Sequence, residues 1–108
     1  MTTITFYKKK DSFIGFEVSG HAGKNRKDGT DLLCCQISTV AQLAVVGVDE
    51  VAKVKNVHKI EDGYLKIEVS LNDACDEKIK YLFETCLNSF KSIILDEEKY
   101  AKLEVKNV

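Results

Sequence analysis

His21 lies in the run Gly20-His21-Ala22-Gly23, and thirteen residues later the chain carries adjacent thiols, Cys34 and Cys35. A thiolate is a far better nucleophile than a thiol, and a helix N-terminus is one of the settings that lowers a cysteine pKa. Cys34 follows Asp31 by three residues, and Asp31, with Thr30 before it, offers a helix N-cap. That places Cys34 in a first helical turn, where unpaired backbone N–H groups and the positive end of the helix dipole favour negative charge. The same N–H groups can donate to the oxyanion of a tetrahedral intermediate. A Cys–His pair needs proximity in space and not a fixed sequence spacing. The residues between are ample to bend His21 back onto Cys34, which gives a nucleophile and its general base. Incidental presence of both types in a small domain is the alternative, and spacing alone leaves it open.

The neighbouring residues have two readings each. Asp31 either orients His21 as a third member or caps the helix, and one residue could do both. Ser38 sits one turn after Cys34 on the same face, so it either supports the site through a hydrogen bond or bonds its own i−4 carbonyl. Cys35 points about 100° from Cys34 around the helix and is expected in the core. A metal site built from His21, Asp31, Cys34 and Cys35 is disfavoured, because zinc sites space their cysteines by two to four residues. No metal and no cofactor are expected. His58, in a strand, reads as structural or surface; Cys86 falls on a helix core stripe, and Cys75 lies in an exposed first turn.

These residues need a scaffold, and 108 residues suffice for one domain with a two-layer core. Apolar content of 44% and charged content of 31% are those of a globular chain. A net charge of −1 gives no reason to expect duplex nucleic acid or an anionic membrane as a general partner. Charges at Lys8, Lys9, Lys10 and Asp11 cut off any signal-peptide-like apolar run. No stretch is expected to reach the ~18–20 uninterrupted apolar residues that span a bilayer. The expectation is a cytoplasmic protein with reduced thiols.

Residues 2–7 and 13–19 alternate as strands of a hairpin, with Ile4, Phe6, Ile14, Phe16 and Val18 inward and Lys8–Ser12 as the turn. Residues 20–30 carry no periodicity and read as a mobile loop; Lys24, Arg26 and Lys27 less Asp28 give it a charge of +2. A helix over about 32–53 is apolar almost all round, which implies burial on more than one side and, in so small a domain, a homodimer contact. Residues 54–60 and 64–70 form a second hairpin around Glu61-Asp62-Gly63. Asn72 or Asp73 caps a second helix running to about 96, and residues 102–105 make a last strand. The order ββαββαβ implies an α+β fold, a two-layer sandwich of one sheet and two helices.

Gly20-His21-Ala22, a glycine-containing loop, Gly29-Thr30-Asp31, then Leu32-Leu33-Cys34 and Ser38 resemble the bacterial ribosomal-processing cysteine protease (Prp) family, whose size and element order match the whole chain. The resemblance implies His21 as catalytic histidine and Cys34 as nucleophile. It implies removal of a short N-terminal extension from large-subunit ribosomal protein twenty-seven, after a pair of phenylalanines, by a homodimer. The loop Gly23, Lys24, Asn25, Arg26, Lys27, Asp28 and Gly29 would then be a lid over the substrate. It is about one residue longer and more basic than in relatives, and Cys35 stands where alanine is frequent. The competing function is a ribosome-associated binding module whose basic loop meets RNA or ribosomal protein without chemistry.

Overall fold

The computed structural model describes residues 1–21 and 31–108. The lid residues Gly23, Lys24, Asn25, Arg26, Lys27, Asp28 and Gly29 lie outside the described residues. Strands β1 (Thr2–Lys9) and β2 (Ser12–Ser19) pair antiparallel with Ile4 opposite Val18 and Phe6 opposite Phe16. Their turn is tighter than the polar run suggests. Lys10 and Asp11 alone make it, at φ 49° and 67°, the paired left-handed conformations whose twist suits a two-residue hairpin.

Helix α1 (Leu32–Val46) begins at the N-cap Asp31 and continues into a π-helical turn over Gly47–Val51. A Cβ added at Gly47 would stand 2.8 Å from Leu82 Cδ2, so this turn lies directly against the later helix. β3 (Val57–Glu61) and β4 (Tyr64–Glu68) form the second hairpin, each shorter than expected. The expected single helix to residue 96 is divided. α2 (Leu71–Ala74) is capped by Ser70, and α3 (Glu77–Ile93) by Asp76, not by Asn72 or Asp73. The Asp76 carboxylate accepts from the Lys78 N–H and restarts the helix, which is what an N-cap side chain does. β5 (Ala101–Asn107) completes the sheet in the order β3-β4-β2-β1-β5, parallel to β1. A parallel neighbour needs a long crossover, and the helical segment before β5 supplies it.

The α+β two-layer architecture in the expected strand and helix order is therefore present. Inward residues of the sheet meet α1 and α3 in one core cluster, and Phe6, Phe16, Phe83 and Phe90 are fully buried in it. Phe6 and Phe16 stack at 4.9 Å, and Phe90 meets Phe16 edge-on at 5.4 Å. On the outer face the Tyr7 hydroxyl donates to Glu17 Oε2 at 2.6 Å. That bond and desolvation push the Tyr7 phenol up to about 12, and the same bond holds the Glu17 carboxyl below its ordinary value.

Helix α1 with its π-helical turn departs from the expectation that no segment could span a bilayer. Leu32–Val51 is long and apolar enough, by length and composition, to cross a membrane. Gln36, Ser38, Thr39 and Gln42 interrupt its apolar run without offsetting the apolarity of the segment as a whole. In the fold the helix is a layer of the core through Leu33, Ile37, Ala41, Ala44, Val45 and Val48. Its other side leaves Leu43, Val46 and Val51 exposed.

Candidate active site

The end of β2 and the start of α1 bring His21 and Cys34 together. Gly20 takes a φ of 91° and its N–H donates to the Gly63 carbonyl at 2.8 Å. This turns the chain off the sheet and sets His21 beside the β3–β4 turn. The imidazole Nδ1 then lies 3.8 Å from Cys34 Sγ, close enough for a proton to pass with a small adjustment, since such bonds tighten when substrate binds. The imidazole is half exposed and Cys34 is partly buried.

Asp31 caps the helix, as one of its two readings had it. Its Oδ1 accepts from the Cys34 N–H at 3.0 Å, and its carbonyl accepts from the Cys35 N–H at 3.0 Å. The cap fixes the first turn and with it the position of the thiol. The Cys34 and Cys35 amides are thereby engaged, so an oxyanion donor of the first turn would be another of its N–H groups. The first-turn amides that precede intrahelical bonding are those of Leu32 and Leu33.

Cys35 does not take the core position expected of it. Cys35 is exposed, because the core side of α1 passes through Leu33 and Ile37 and leaves position 35 on the opposite side. Ser38 lines the same cleft as Cys34 and His21. Its Oγ accepts from Gln42 Nε2 at 2.9 Å, one turn on. Bonding back to the i−4 carbonyl is made instead by its neighbour, Thr39 Oγ1 to the Cys35 carbonyl, at 2.8 Å.

The cleft encloses about 190 Å³, and Val18, Ile37, Ala41, Ile60 and Leu65 give it an apolar wall. Ile60 of the edge strand β3 pairs with Leu65 and is half exposed at the cleft. The opening therefore combines a thiol, an imidazole and apolar walls, the means to hold an apolar side chain while a carbonyl is attacked. Among the described residues no three His, Cys, Asp or Glu side chains come together as a metal site would require.

Two contributors were not singled out for the site from sequence. Asp62 Oδ1 lies 3.8 Å from His21 Nε2, and Gly63 lies against the imidazole. The Asp-Gly pair was legible as a turn, but nothing in its spacing says that the turn folds onto residue 21. His58 is exposed on β3, with Nδ1 2.7 Å from Asn56 Oδ1. Cys86 is buried in α3, and burial pushes its thiol up to about 11. Cys75 is exposed.

A family profile described as cysteine protease Prp matches residues 1–102. No curated protein matches the chain. Among solved structures, SMU.848 from Streptococcus mutans is 27% identical with a TM-score of 0.81, over 100% of this chain and 96% of the other. The ribosomal processing protease Prp from S. aureus, solved with a covalently linked product peptide, is 19% identical with a TM-score of 0.86, over 98% and 100%. The same S. aureus protein with a substrate peptide is 16% identical with a TM-score of 0.81, over 98% and 100%.

Proposed function

The chain belongs to the cysteine protease Prp family, and from that premise we propose that Cys34 and His21 are its catalytic dyad and that it processes a ribosomal protein. The observation that carries the dyad is the 3.8 Å approach of Cys34 Sγ to His21 Nδ1 at the mouth of an apolar cleft. In the first half-reaction Sγ attacks the scissile carbonyl carbon and its proton passes to Nδ1. The tetrahedral intermediate collapses as His21 returns that proton to the leaving amine, the C–N bond breaks and a thioester remains. Water then attacks the thioester, giving a proton to His21; the C–S bond breaks and the thiol is restored. Asp31 supports the pair by fixing the first turn. Ser38, held by Gln42, offers its hydroxyl to the cleft.

The substrate is proposed to be the N-terminal extension of large-subunit ribosomal protein twenty-seven, cut after paired phenylalanines. The S. aureus relative is named an essential ribosomal processing protease and binds substrate and product peptides. The apolar wall formed by Val18, Ile37, Ala41, Ile60 and Leu65 suits an aromatic side chain. A cytoplasmic location accords with that substrate and with four free thiols. No cofactor and no direct nucleic-acid or membrane partner enter this account. A homodimer is supported by Leu43, Val46 and Val51 of α1 and its π-helical turn, with Tyr81 of α3, all exposed. The lid role of residues 23–29 belongs to the same proposal.

The test is cleavage of a peptide carrying the extension. Cys34→Ala and His21→Ala should each abolish turnover while Cys35→Ala keeps it. Full activity in Cys34→Ala overturns the assignment, and loss in Cys35→Ala alone moves the nucleophile by one residue.

A further inference from the structure

The imidazole of His21 is held on two sides, and only one of them is the thiol. Its Nδ1 faces Cys34 Sγ at 3.8 Å, while Nε2 faces Asp62 Oδ1 at 3.8 Å. Beneath the ring lies Gly63, where a Cβ would stand 2.9 Å from Nε2, closer than real Cβ atoms approach other atoms. The Gly20 N–H bond to the Gly63 carbonyl, 2.8 Å, ties this turn to the residue that precedes His21. The histidine and the turn are thus coupled through backbone, ring packing and charge.

We propose that the β3–β4 turn is the orienting element of the dyad, with Asp62 as the positioning carboxylate behind His21 and Gly63 as the seat for its ring. The inference rests on the reading of Cys34 and His21 as the reacting pair. An ionised carboxylate only accepts, so Asp62 favours the tautomer with the proton on Nε2 and the lone pair on Nδ1, toward Cys34. When the thiol proton moves to Nδ1, the imidazolium carries both N–H groups. Nε2–H then points at a negative charge, which stabilises the imidazolium formed as the thiol attacks. This is the logic by which a third group orients a catalytic base. Here the third group comes from a turn far along the chain, while Asp31 Oδ1 accepts from the Cys34 amide.

The Asp62 side chain is 99% exposed. An ion pair in that setting is worth little and is screened by salt, which sets both the size and the signature of the effect. Asp62→Asn keeps the shape and an acceptor and removes the charge, and asparagine before glycine is a favoured turn pair. The measurement is the rate of Cys34 alkylation by iodoacetamide at neutral pH, resolved by mass mapping from Cys35, Cys75 and Cys86, alongside kcat and KM. At low salt Asp62→Asn should slow alkylation and kcat by roughly two- to fivefold with KM held. In ~1 M salt, where the Debye length is about 3 Å, the variant and the parent protein should converge. Equal rates at low salt would overturn the proposal, and so would a deficit that persists at high salt, which marks a structural change.

The seat is tested by Gly63→Asn, since asparagine tolerates the φ of 70° but adds the Cβ. It should lower kcat on the order of tenfold or more by displacing the ring, with a melting temperature near that of the parent; unchanged kcat refutes the seat. His21→Ala is the control that separates the two readings. Undiminished Cys34 alkylation and cleavage in His21→Ala would defeat the dyad itself. Loss there with no effect of Asp62→Asn would defeat only the orienting role.

Discussion

The four thiols sit in three kinds of environment, and reactivity should follow them. Cys34 is partly buried beside His21, Cys35 and Cys75 are exposed, and Cys86 is 2% exposed in α3 with its thiol pushed up to about 11 by burial. Iodoacetamide at pH 8 should modify Cys34 first, Cys35 and Cys75 more slowly, and Cys86 only after unfolding; peptide mapping of the adducts reads the order. Cys35→Ser should change stability by less than about 0.5 kcal/mol, as surface substitutions do, where a core thiol would cost more. Position 35 also shows where sequence reasoning reached its limit. The helical offset between Cys34 and Cys35 was legible, but which direction is core depends on where the sheet lies. The outer sheet face gives a second residue-level outcome. The Tyr7–Glu17 bond lowers the Glu17 carboxyl and raises the Tyr7 phenol to about 12. Its contribution on the acid side is present above the unfolded carboxyl value near 4.5 and is lost as pH falls through the folded one. On the alkaline side it is present below 10 and lost as pH rises toward about 12. Tyr7→Phe should flatten both limbs of a stability-versus-pH curve from denaturant melts.

Turns and caps decide where elements begin. The β1–β2 turn places Lys10 and Asp11 at positive φ, a conformation costing non-glycine residues about 1–2 kcal/mol each. The double substitution Lys10→Asn with Asp11→Gly should therefore stabilise the protein by roughly 1 kcal/mol in chemical denaturation. Asp76→Ala removes the cap of α3 and should cost about 1 kcal/mol by the same measurement. Strand identity and the two hairpins were readable from period-two alternation, and α1 from its length. The break between α2 and α3 was not, because Ile79, Phe83, Cys86 and Phe90 keep one periodic stripe and the pattern masks the second cap at Asp76. The site shows the same division. His21, Cys34, Asp31 and Ser38 were legible as local sequence, and the approach of Asp62 and Gly63 was not, since it depends on β4 pairing with β2 through Ser19 and Tyr64.

The whole molecule is organised by the face the sheet turns to its helices. Four phenylalanines anchor that layer, and Phe90 touches both Phe6 and Phe16. Phe90→Ala should destabilise by about 3–5 kcal/mol, a large share of the roughly 5–15 kcal/mol typical of a domain. On the other side of α1, Leu43, Val46 and Val51 are exposed. If these meet a second copy, Leu43→Asp with Val46→Asp should yield a monomer by analytical ultracentrifugation while the parent sediments as a dimer. A monomeric parent would refute the homodimer. The near-uniform apolarity of the helix was legible in the sequence, and it led to the second face.

Formation of a thioester on Cys34 is the central event of the proposed reaction. A reaction with the extension peptide, acid-quenched before the steady state, digested and sequenced by tandem mass spectrometry, reads that bond directly. An acyl adduct on Cys34, absent in Cys34→Ala, is the expected result. An adduct on Cys35 or any other residue, or full turnover in Cys34→Ala, would contradict it.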